Sequence, residues 1–395
     1  MSQPFIGPTM EVATVRPGEG RPGGRGRSSL MTPGMKVGGD FILSNLARGS
    51  ALLVMLMLAA LIAVLAHASL PSIRTFGAAF LASSDWRPNP LEVPKHDKAG
   101  NVVIDEDGNT ATETIPPAFG ALPVIFGTAV SSVLALVFAV PLSLGAALFL
   151  VRIAPRLKVP IGRARIHFAE PVSFLIEFLA AIPSIAYGMW GLFVLAPFLQ
   201  KYVEHWLGSA YIAMGKPAAL HWLFQDKMVL ANGSVLVRDI SLTGRDMFCG
   251  GLVLAIMIIP IVTAIARDVL KSVPRAQIEG TTALGATWWQ SSKEMLRYSR
   301  AGLFGAVMLG LARAAGETMA VTMIIGNNNQ IRASLFAPAQ TMSSLLANEF
   351  AEASTDLHRA ALSEVALILL VMSLAFNIIA RYLVVGKGSR SAAAH

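Results

Sequence analysis

The chain has 395 residues, of which 54% are apolar and only 14% are charged, and its mean hydropathy is +0.58. Soluble domains carry about a quarter charged residues, so this composition excludes an ordinary water-exposed protein and predicts one membrane-embedded helical bundle. The single cysteine, Cys249, excludes an internal disulfide and an all-cysteine metal site. In a soluble protein, a net charge of +8 would favour nucleic acid or anionic lipid as a binding partner. In a membrane protein, the placement of the charges matters more.

Long apolar runs predict the membrane spans. A bilayer core takes about 20 apolar residues of helix, so each run of at least roughly 18 with few charges is a candidate. Six runs qualify, at 51–70, 122–151, 171–199, 248–266, 301–326 and 360–384. We therefore expect an all-α membrane protein with six transmembrane helices, in which the second and third spans tilt or kink at Pro141 and Pro183.

Basic residues distinguish the two sides of the membrane, because Lys and Arg accumulate in cytoplasmic loops. The N-terminal segment through Arg48, the loops 152–170 and 267–300 and the tail from Arg381 together hold 20 of them, whereas the alternate loops hold 11. Both termini are therefore predicted to be cytoplasmic. The +8 charge then reflects topology and gives no argument for a nucleic-acid partner.

Composition also divides the chain into parts. Residues 1–47 are rich in Gly, Pro and Arg and predict a disordered basic cytoplasmic tail, with an RNA-binding arginine-glycine tail as the alternative. Residues 48–121 hold the first span and a periplasmic loop, 122–385 form the core transmembrane domain, and 386–395 form a C-terminal tail. Residues 66–68 resemble a signal-peptide cleavage site after an apolar run. The segment of about 50 residues before that run is far longer than the n-region of a signal peptide, so we expect the first helix to be retained.

Two outside segments predict small periplasmic hairpins. Asp107-Gly108 lies between β-prone residues within 101–115, and Asn232-Gly233 lies in the same setting within 228–237. Both dipeptides favour the primed turns that close two-residue hairpins.

Four charged side chains fall inside predicted spans, where a charge costs about 2.5 to 3.5 kcal/mol on insertion scales: Glu177, Arg313, Glu317 and Glu364. Arg313 and Glu317 are four residues apart and thus adjacent on one helical face, where they can form an ion pair. Small and apolar residues at 306, 310, 320 and 324 share that face, which predicts that it packs in the bundle or lines a central path.

Two interpretations of the pair in the 301–326 span stay open. The pair can simply neutralise itself within one helix. Alternatively, Arg313 recognises an anion in a substrate pathway, because its planar guanidinium fits phosphate and carboxylate oxygens. Glu317 would then weaken the site so that a multivalent anion can leave.

The remaining membrane carboxyls and the missing ATP motif bear on energy coupling. Glu177 and Glu364 are best explained as packed or hydrogen-bonded residues, but they keep a proton-coupled secondary transporter as an alternative. No P-loop occurs, since the Gly-Lys pairs at 215 and 386 are followed by Pro217 and Gly388. If ATP drives transport, another subunit binds it, and this chain is a transport subunit and not an enzyme.

The inside loop 267–300 carries a short helical pattern. Helical spacing runs from Pro274 to Leu284, and Gly285 follows as a stop. A helix between two spans and rimmed by basic residues suits docking of another protein, although an ordinary amphipathic connector has the same spacing.

This loop resembles the EAA loop by which permease subunits of bacterial ABC importers dock on their ATPase. Glu279, Gly280 and Thr281, followed by Gly285, occupy the motif positions. Gly280 and Thr281 replace the two alanines of the motif. Tyr298-Ser299 stands where the family often has Leu-Pro.

Four further stretches resemble the C-type (PstC-like) permeases of bacterial phosphate importers, from about residue 123 to 383. They are AAIPSIAYGMWGLFVLAP at 180–197, MIIPIVTAIARDVL at 257–270, MLGLARAAGETMAVTMIIGN at 308–327 and LANEFAEA at 346–353.

The resemblance implies a six-helix permease of the type I, MetI-like fold in the bacterial cytoplasmic membrane, surrounded by lipid. It implies an A-type permease partner, two ATP-binding subunits that use ATP-Mg, a periplasmic phosphate-binding protein and no cofactor bound by this chain. Phosphate would cross by alternating access around Arg313. The assignment of phosphate, and not another oxyanion, as the transported ion rests on the resemblance. The other classes that stay open are an ion-coupled secondary anion transporter and a membrane sensor or scaffold.

Overall fold

A computed structural model describes residues 37–94, 110, 112–161, 164–229, 235–239 and 242–392. The chain divides into two compact units, 1–60 and 61–395, and the described part of the first unit is helical. The described residues form fifteen α-helices, α1 Val37–Phe76, α2 Ala79–Ala82, α3 Leu122–Arg152, α4 Ala169–Ala180, α5 Ser184–Trp190, α6 Ala196–Phe198, α7 His205–Ala213, α8 His221–Phe224, α9 Met247–Lys271, α10 Arg275–Ala283, α11 Trp288–Tyr298, α12 Arg300–Gly316, α13 Met319–Ile324, α14 Met342–Glu349 and α15 Asp356–Ala392.

Shorter elements complete the described chain. Three antiparallel strand pairs are β1 Leu91–Pro94 with β2 Thr112–Ile115, β3 Lys158–Ile161 with β4 Ala164–His167, and β5 Gln225–Val229 with β6 Val235–Asp239. Two π-helical segments, Gly191–Leu195 and Leu199–Glu204, join α5, α6 and α7 into one run, and 3₁₀ turns cover Ala154–Arg156 and Ala218–Leu220.

Four helices are long and apolar enough to cross a membrane, at Phe41–Phe76, Leu122–Arg156, Met247–Lys271 and Asp356–Ile379. A fifth candidate is broken, because α4 and the run from α5 to α7 meet at 90°. The break falls at the expected kink, Pro183, which lacks a backbone N–H and disfavours helix at the residue before it. By contrast, α3 continues through Pro141 as one helix. The described residues thus give four or five candidate spans, and six transmembrane helices are not confirmed.

The fifth predicted span, 301–326, is also interrupted. Helix α12 ends at Gly316, and Glu317 has φ −69° and ψ 128°, an extended conformation. Helix α13 begins only at Met319. The run that was expected to be one helix is thus two short helices with a two-residue break.

Helices α3, α9 and α12 pack together in the core of the second unit. The small residues expected on the inner face of α12 are buried, including Ala306 and Gly310. A Cβ atom on Gly310 would lie 2.7 Å from Val262 Cγ2 of α9. Glycine at this position lets the two helix backbones approach closely, as small residues do in membrane helix pairs.

Segment boundaries differ from the predictions at both ends. Residues 37–47 of the predicted disordered tail belong to α1, and residues 386–392 of the predicted C-terminal tail belong to α15. The physical reason is that extending an existing helix adds one hydrogen bond per residue fixed, without the cost of nucleation. Residues 1–36 of that tail lie outside the described residues.

The strands of the two predicted hairpins pair in different ways. Strands β5 and β6 flank Asn232-Gly233 with Val229 opposite Val235, although the turn itself lies outside the described residues. Strand β2 pairs with β1, from outside the predicted 101–115 segment, and Asp107-Gly108 lies outside the described residues. The β3–β4 pair was not predicted.

Candidate transport and coupling sites

The break between α12 and α13 separates the two charged residues whose spacing would allow an ion pair in a continuous helix. Arg313 is exposed and has neither a hydrogen bond nor an ion pair with any described residue of this chain, while its charge acts on Tyr187 of α5. Glu317 is 9% exposed, and its Oε1 accepts a hydrogen bond from the Ala320 N–H at 3.4 Å. The Arg313–Glu317 ion pair that the spacing allowed does not form, because the extended backbone at Glu317 ends the four-residue helical spacing that would align the two side chains.

Side chains satisfy the backbone groups that the break releases. The Ser343 hydroxyl donates to the Ala315 carbonyl at 3.3 Å, and the Thr318 hydroxyl donates to the Gly316 carbonyl at 3.3 Å. In a membrane, non-helical backbone is tolerated only where protein surrounds it or where it lines a water-filled cavity. Broken helices of this kind supply the binding sites of many transporters.

A groove of about 430 Å³ lies beside the break. Its lining is mostly apolar and comes from α14 and α15 as well as the break, with Gly316, Thr318, Ser343, Leu346, Ala347, Phe350, Ala366 and Leu369. Arg313 is not among these residues, so the groove and the guanidinium are separate features.

The other two predicted membrane carboxyls have different surroundings. Glu177 Oε1 accepts from Arg267 Nη1 at 3.1 Å, and Arg267 also bonds Asp268 at 2.9 Å. Glu364 is buried, and its Oε2 has no hydrogen-bond partner among the described residues. Glu177 therefore has the packed or hydrogen-bonded role expected for it, with a partner that local sequence spacing did not indicate.

Most of helix α10 is exposed to solvent. It begins after Pro274, ends before Gly285, which has φ +82°, and buries none of its side chains. Glu279 is exposed, and the neighbouring Leu284 is 91% exposed. An apolar side chain this exposed next to a bare helix is typical of a docking surface.

Only a few contacts hold α10 against the rest of the chain. Ile278 packs on an apolar cluster formed by the ends of α3 and α9 with α11 and α12. After Gly285, a capping box between Thr287 and Gln290 starts α11. Gly280 has nothing within 4 Å of the place where a Cβ would be, so packing does not require glycine at that motif position.

Residues 166–386 match a family described as the binding-protein-dependent transport system inner membrane component. The chain is 37% identical over 355 residues to the phosphate transport system permease protein PstC of Mesorhizobium japonicum, covering 90% of this chain and 92% of the relative. It is 38% identical over 347 residues to the protein of that name from Pasteurella multocida, covering 87% and 91%. The chain belongs to the PstC family of binding-protein-dependent permeases.

Members of the PstC family are transport subunits and integral inner-membrane permeases, and the several apolar helices agree with that class. The family match includes α10 and the α12–α13 break. A chain solved in inward-facing conformations of the MetNI methionine ABC transporter is 16% identical, with a TM-score of 0.42 over 68% of this chain and 94% of that chain.

Proposed function

We propose that this chain is the C-type permease subunit of an ATP-driven phosphate importer. The observation that carries the proposal is α10, a helix with the EAA-like motif and no buried side chain, in a chain 37% identical to a PstC protein over 90% of its length. An exposed helix between two membrane segments is suited to receive the movement of a soluble partner. The relatives are named as phosphate transport permeases, which favours phosphate as the transported ion.

The proposed assembly contains an A-type permease beside this chain, two ATP-binding subunits on the α10 side and a periplasmic phosphate-binding protein on the other side. ATP-Mg is bound by the ATP-binding subunits and no cofactor by this chain. Both termini and the 272–299 loop are cytoplasmic in this proposal, as the distribution of Lys and Arg favours. The six spans of the MetI-like fold then include two broken ones, α4 to α7 and α12–α13.

Arg313 is the proposed phosphate contact. A guanidinium without a partner among the described residues of its own chain is costly inside a membrane unless an anion or water meets it. Its planar fork of donors can bind two phosphate oxygens at once. Glu317 is proposed to maintain the break through its bond to Ala320, and its carboxylate limits how tightly a multivalent anion is held nearby.

Alternating access follows from these parts. Closure of the ATP-binding subunits displaces α10, and the spans packed against it tilt. The pathway around Arg313 then faces one side of the membrane and afterwards the other.

The test is radiolabelled phosphate uptake in cells that express this chain with its proposed partners. Uptake that is vanadate-sensitive and lost when the ATP-binding subunit is omitted is the expected result. Uptake by this chain alone in proteoliposomes, following a pH gradient, would instead identify a secondary transporter. Absence of uptake in every combination would leave the sensor or scaffold class.

A further inference from the structure

One polar side chain of α10 is turned toward the protein. Thr281 is half-buried, and its Oγ1 lies 3.3 Å from Ser291 Oγ of α11. It also lies 2.8 Å from the Ile278 carbonyl oxygen, one turn earlier in α10. Thr281 stands where the EAA motif has its second alanine, so the hydroxyl that makes these bonds is itself the departure from the motif.

Ser291 connects this hydroxyl to a membrane segment. It is 1% exposed, and its Oγ accepts a hydrogen bond from Arg152 Nη2 at 3.2 Å. Arg152 is the last residue of α3. The three side chains therefore join α10, α11 and the end of α3 in one chain of hydrogen bonds.

The hydrogen bonds that join these three side chains are all donated in the same direction. A hydroxyl has a single hydrogen to donate and can accept from others. The shorter bond, to the Ile278 carbonyl, uses the hydrogen of Thr281, so Ser291 supplies the hydrogen between the two hydroxyl oxygens. Arg152 donates to Ser291, Ser291 to Thr281, and Thr281 to Ile278, with each hydroxyl hydrogen used once.

The surroundings strengthen the chain of bonds. Ile278 and residues of α3, α9 and α11 form an apolar cluster at this place, with Ala147, Leu270 and Met295 fully covered. Hydrogen bonds are stronger where water is excluded. Arg152 Nε is buried without a bond partner in the described residues, so losing Ser291 would leave further guanidinium hydrogens unsatisfied.

We infer that Thr281, Ser291 and Arg152 are positioning residues that tie α10 to α3 and transmit its displacement to the membrane bundle. This inference rests on the proposed function, since it assigns how movement of an ATP-binding subunit reaches the pathway. The apolar anchor at Ile278 resists separation but allows sliding. The directional bonds fix the position of α10 along α3.

The chain offers matched variants for the test. Thr281→Val and Ser291→Ala each remove one hydroxyl of the link, and Thr281→Ser retains it. Thr282→Val and Ser292→Ala are the controls, because Thr282 and Ser292 bond only carbonyl oxygens within their own helices.

Two measurements are made on the complex with its ATP-binding subunits. In proteoliposomes, Thr281→Val and Ser291→Ala are expected to lower the phosphate transported per ATP hydrolysed by about three- to tenfold, the factor lost with an ordinary hydrogen bond. Thr281→Ser and both controls are expected to keep the wild-type ratio. Amide hydrogen exchange in 275–283 is expected to be faster in the two test variants than in the controls.

The outcomes test the hydrogen-bonded link and the proposed function separately. A wild-type ratio with control-like exchange in both test variants would overturn the link. Loss of the ATP-binding subunit on purification, at an unchanged ratio in the complex that remains, would also overturn it by making Thr281 a docking residue. If the wild-type complex shows no ATP-driven phosphate uptake, the proposed function fails. Hydrogen exchange in the test variants still decides whether the link exists.

Discussion

The carboxyl groups of Glu204 and Asp246 are both completely buried, and they lie near enough that the charge of Glu204 acts on Asp246. Glu204 Oε2 accepts from the Gly244 N–H at 3.0 Å, and Asp246 Oδ1 accepts from the Cys249 N–H at 2.8 Å at the start of α9. The remaining oxygen of each carboxyl has no donor among the described residues. A carboxyl that is buried beside a second acid, with one oxygen lacking a donor, favours its neutral form.

Stability is expected to fall with rising pH because of this pair. Burial, and then the charge of nearby Glu204, raise the pKa of Asp246 from its ordinary 3.8 to about 8. The folded chain therefore binds more protons than the unfolded chain between these values, so the free energy of unfolding decreases across that window and levels off above about pH 8. Thermal unfolding of the purified chain in detergent, from pH 5 to 9, measures this slope.

Substitutions at the pair separate this slope from other titrations. Asp246→Asn is expected to flatten it, whereas Asp85→Asn, at an exposed acid, is expected to retain it. The other titratable side chains next to the pair are Cys249, whose thiol is buried, and Arg245, which is exposed and forms no ion pair with either carboxyl. Parallel pH curves for wild type and Asp246→Asn would contradict the raised pKa of Asp246.

Helix α3 provides a matched pair of glycines for testing the packing. A Cβ on Gly127 would lie 2.0 Å from the Gln340 carbonyl oxygen, whereas at Gly145 nothing lies within 4 Å. Gly127→Ala is expected to cost about 1–3 kcal/mol because backbone must move. Gly145→Ala is expected to be neutral or to gain up to about 1 kcal/mol from helix propensity. Equal unfolding temperatures for the two variants would show that α3 does not pack against the 339–341 segment as described.

Arg313 and Arg300 lie on the same helix and are both exposed. Arg313→Lys is expected to reduce phosphate uptake by at least about tenfold, because lysine keeps the charge but loses the planar fork that binds two oxygens. Arg300→Lys is expected to leave uptake within about twofold of wild type, since little is lost with an exposed charge of the same sign. Uptake in vesicles containing the complex measures both, and wild-type rates for Arg313→Lys would remove Arg313 from the pathway.

Glu177→Gln distinguishes a structural carboxyl from a proton carrier. The pair with Arg267 joins a carboxylate that is 57% exposed to a guanidinium that is 12% exposed, so its loss should cost no more than about 1 kcal/mol. ATP-driven uptake is expected to stay within about twofold of wild type, as in the control Glu170→Gln on the same helix. Loss of uptake confined to Glu177→Gln would favour the proton-coupled alternative.

The parts of the fold that depend on a local sequence pattern could be predicted from the sequence. Apolar runs predicted α3 and α9 almost to their ends, and Pro274 with Gly285 predicted α10. The break at Glu317 was not predictable in this way, because the run around it is apolar and only Gly316 is a poor helix former. Two bonds satisfy groups at the break in the folded chain, from the Ser343 hydroxyl to the Ala315 carbonyl and from the Ala320 N–H to Glu317 Oε1, and the first of them joins residues 28 apart.

Contacts distant in the sequence were missed for the same reason. Arg267 and Glu177 are 90 residues apart, and Arg152 and Ser291 are 139 apart. No helical or strand spacing relates such positions. Arg313 was identified as a charge inside a span, but its lack of a partner became evident only once the helix was seen to end at Gly316.

Accumulation of radiolabelled oxyanions in proteoliposomes is the most direct test of the proposed importer. The complete complex would be supplied in parallel with phosphate, sulfate and molybdate, with and without ATP. We predict that phosphate accumulates only with ATP and that the other two anions do not accumulate. Equal accumulation of sulfate or molybdate, or phosphate entry that does not depend on ATP, would contradict the proposal.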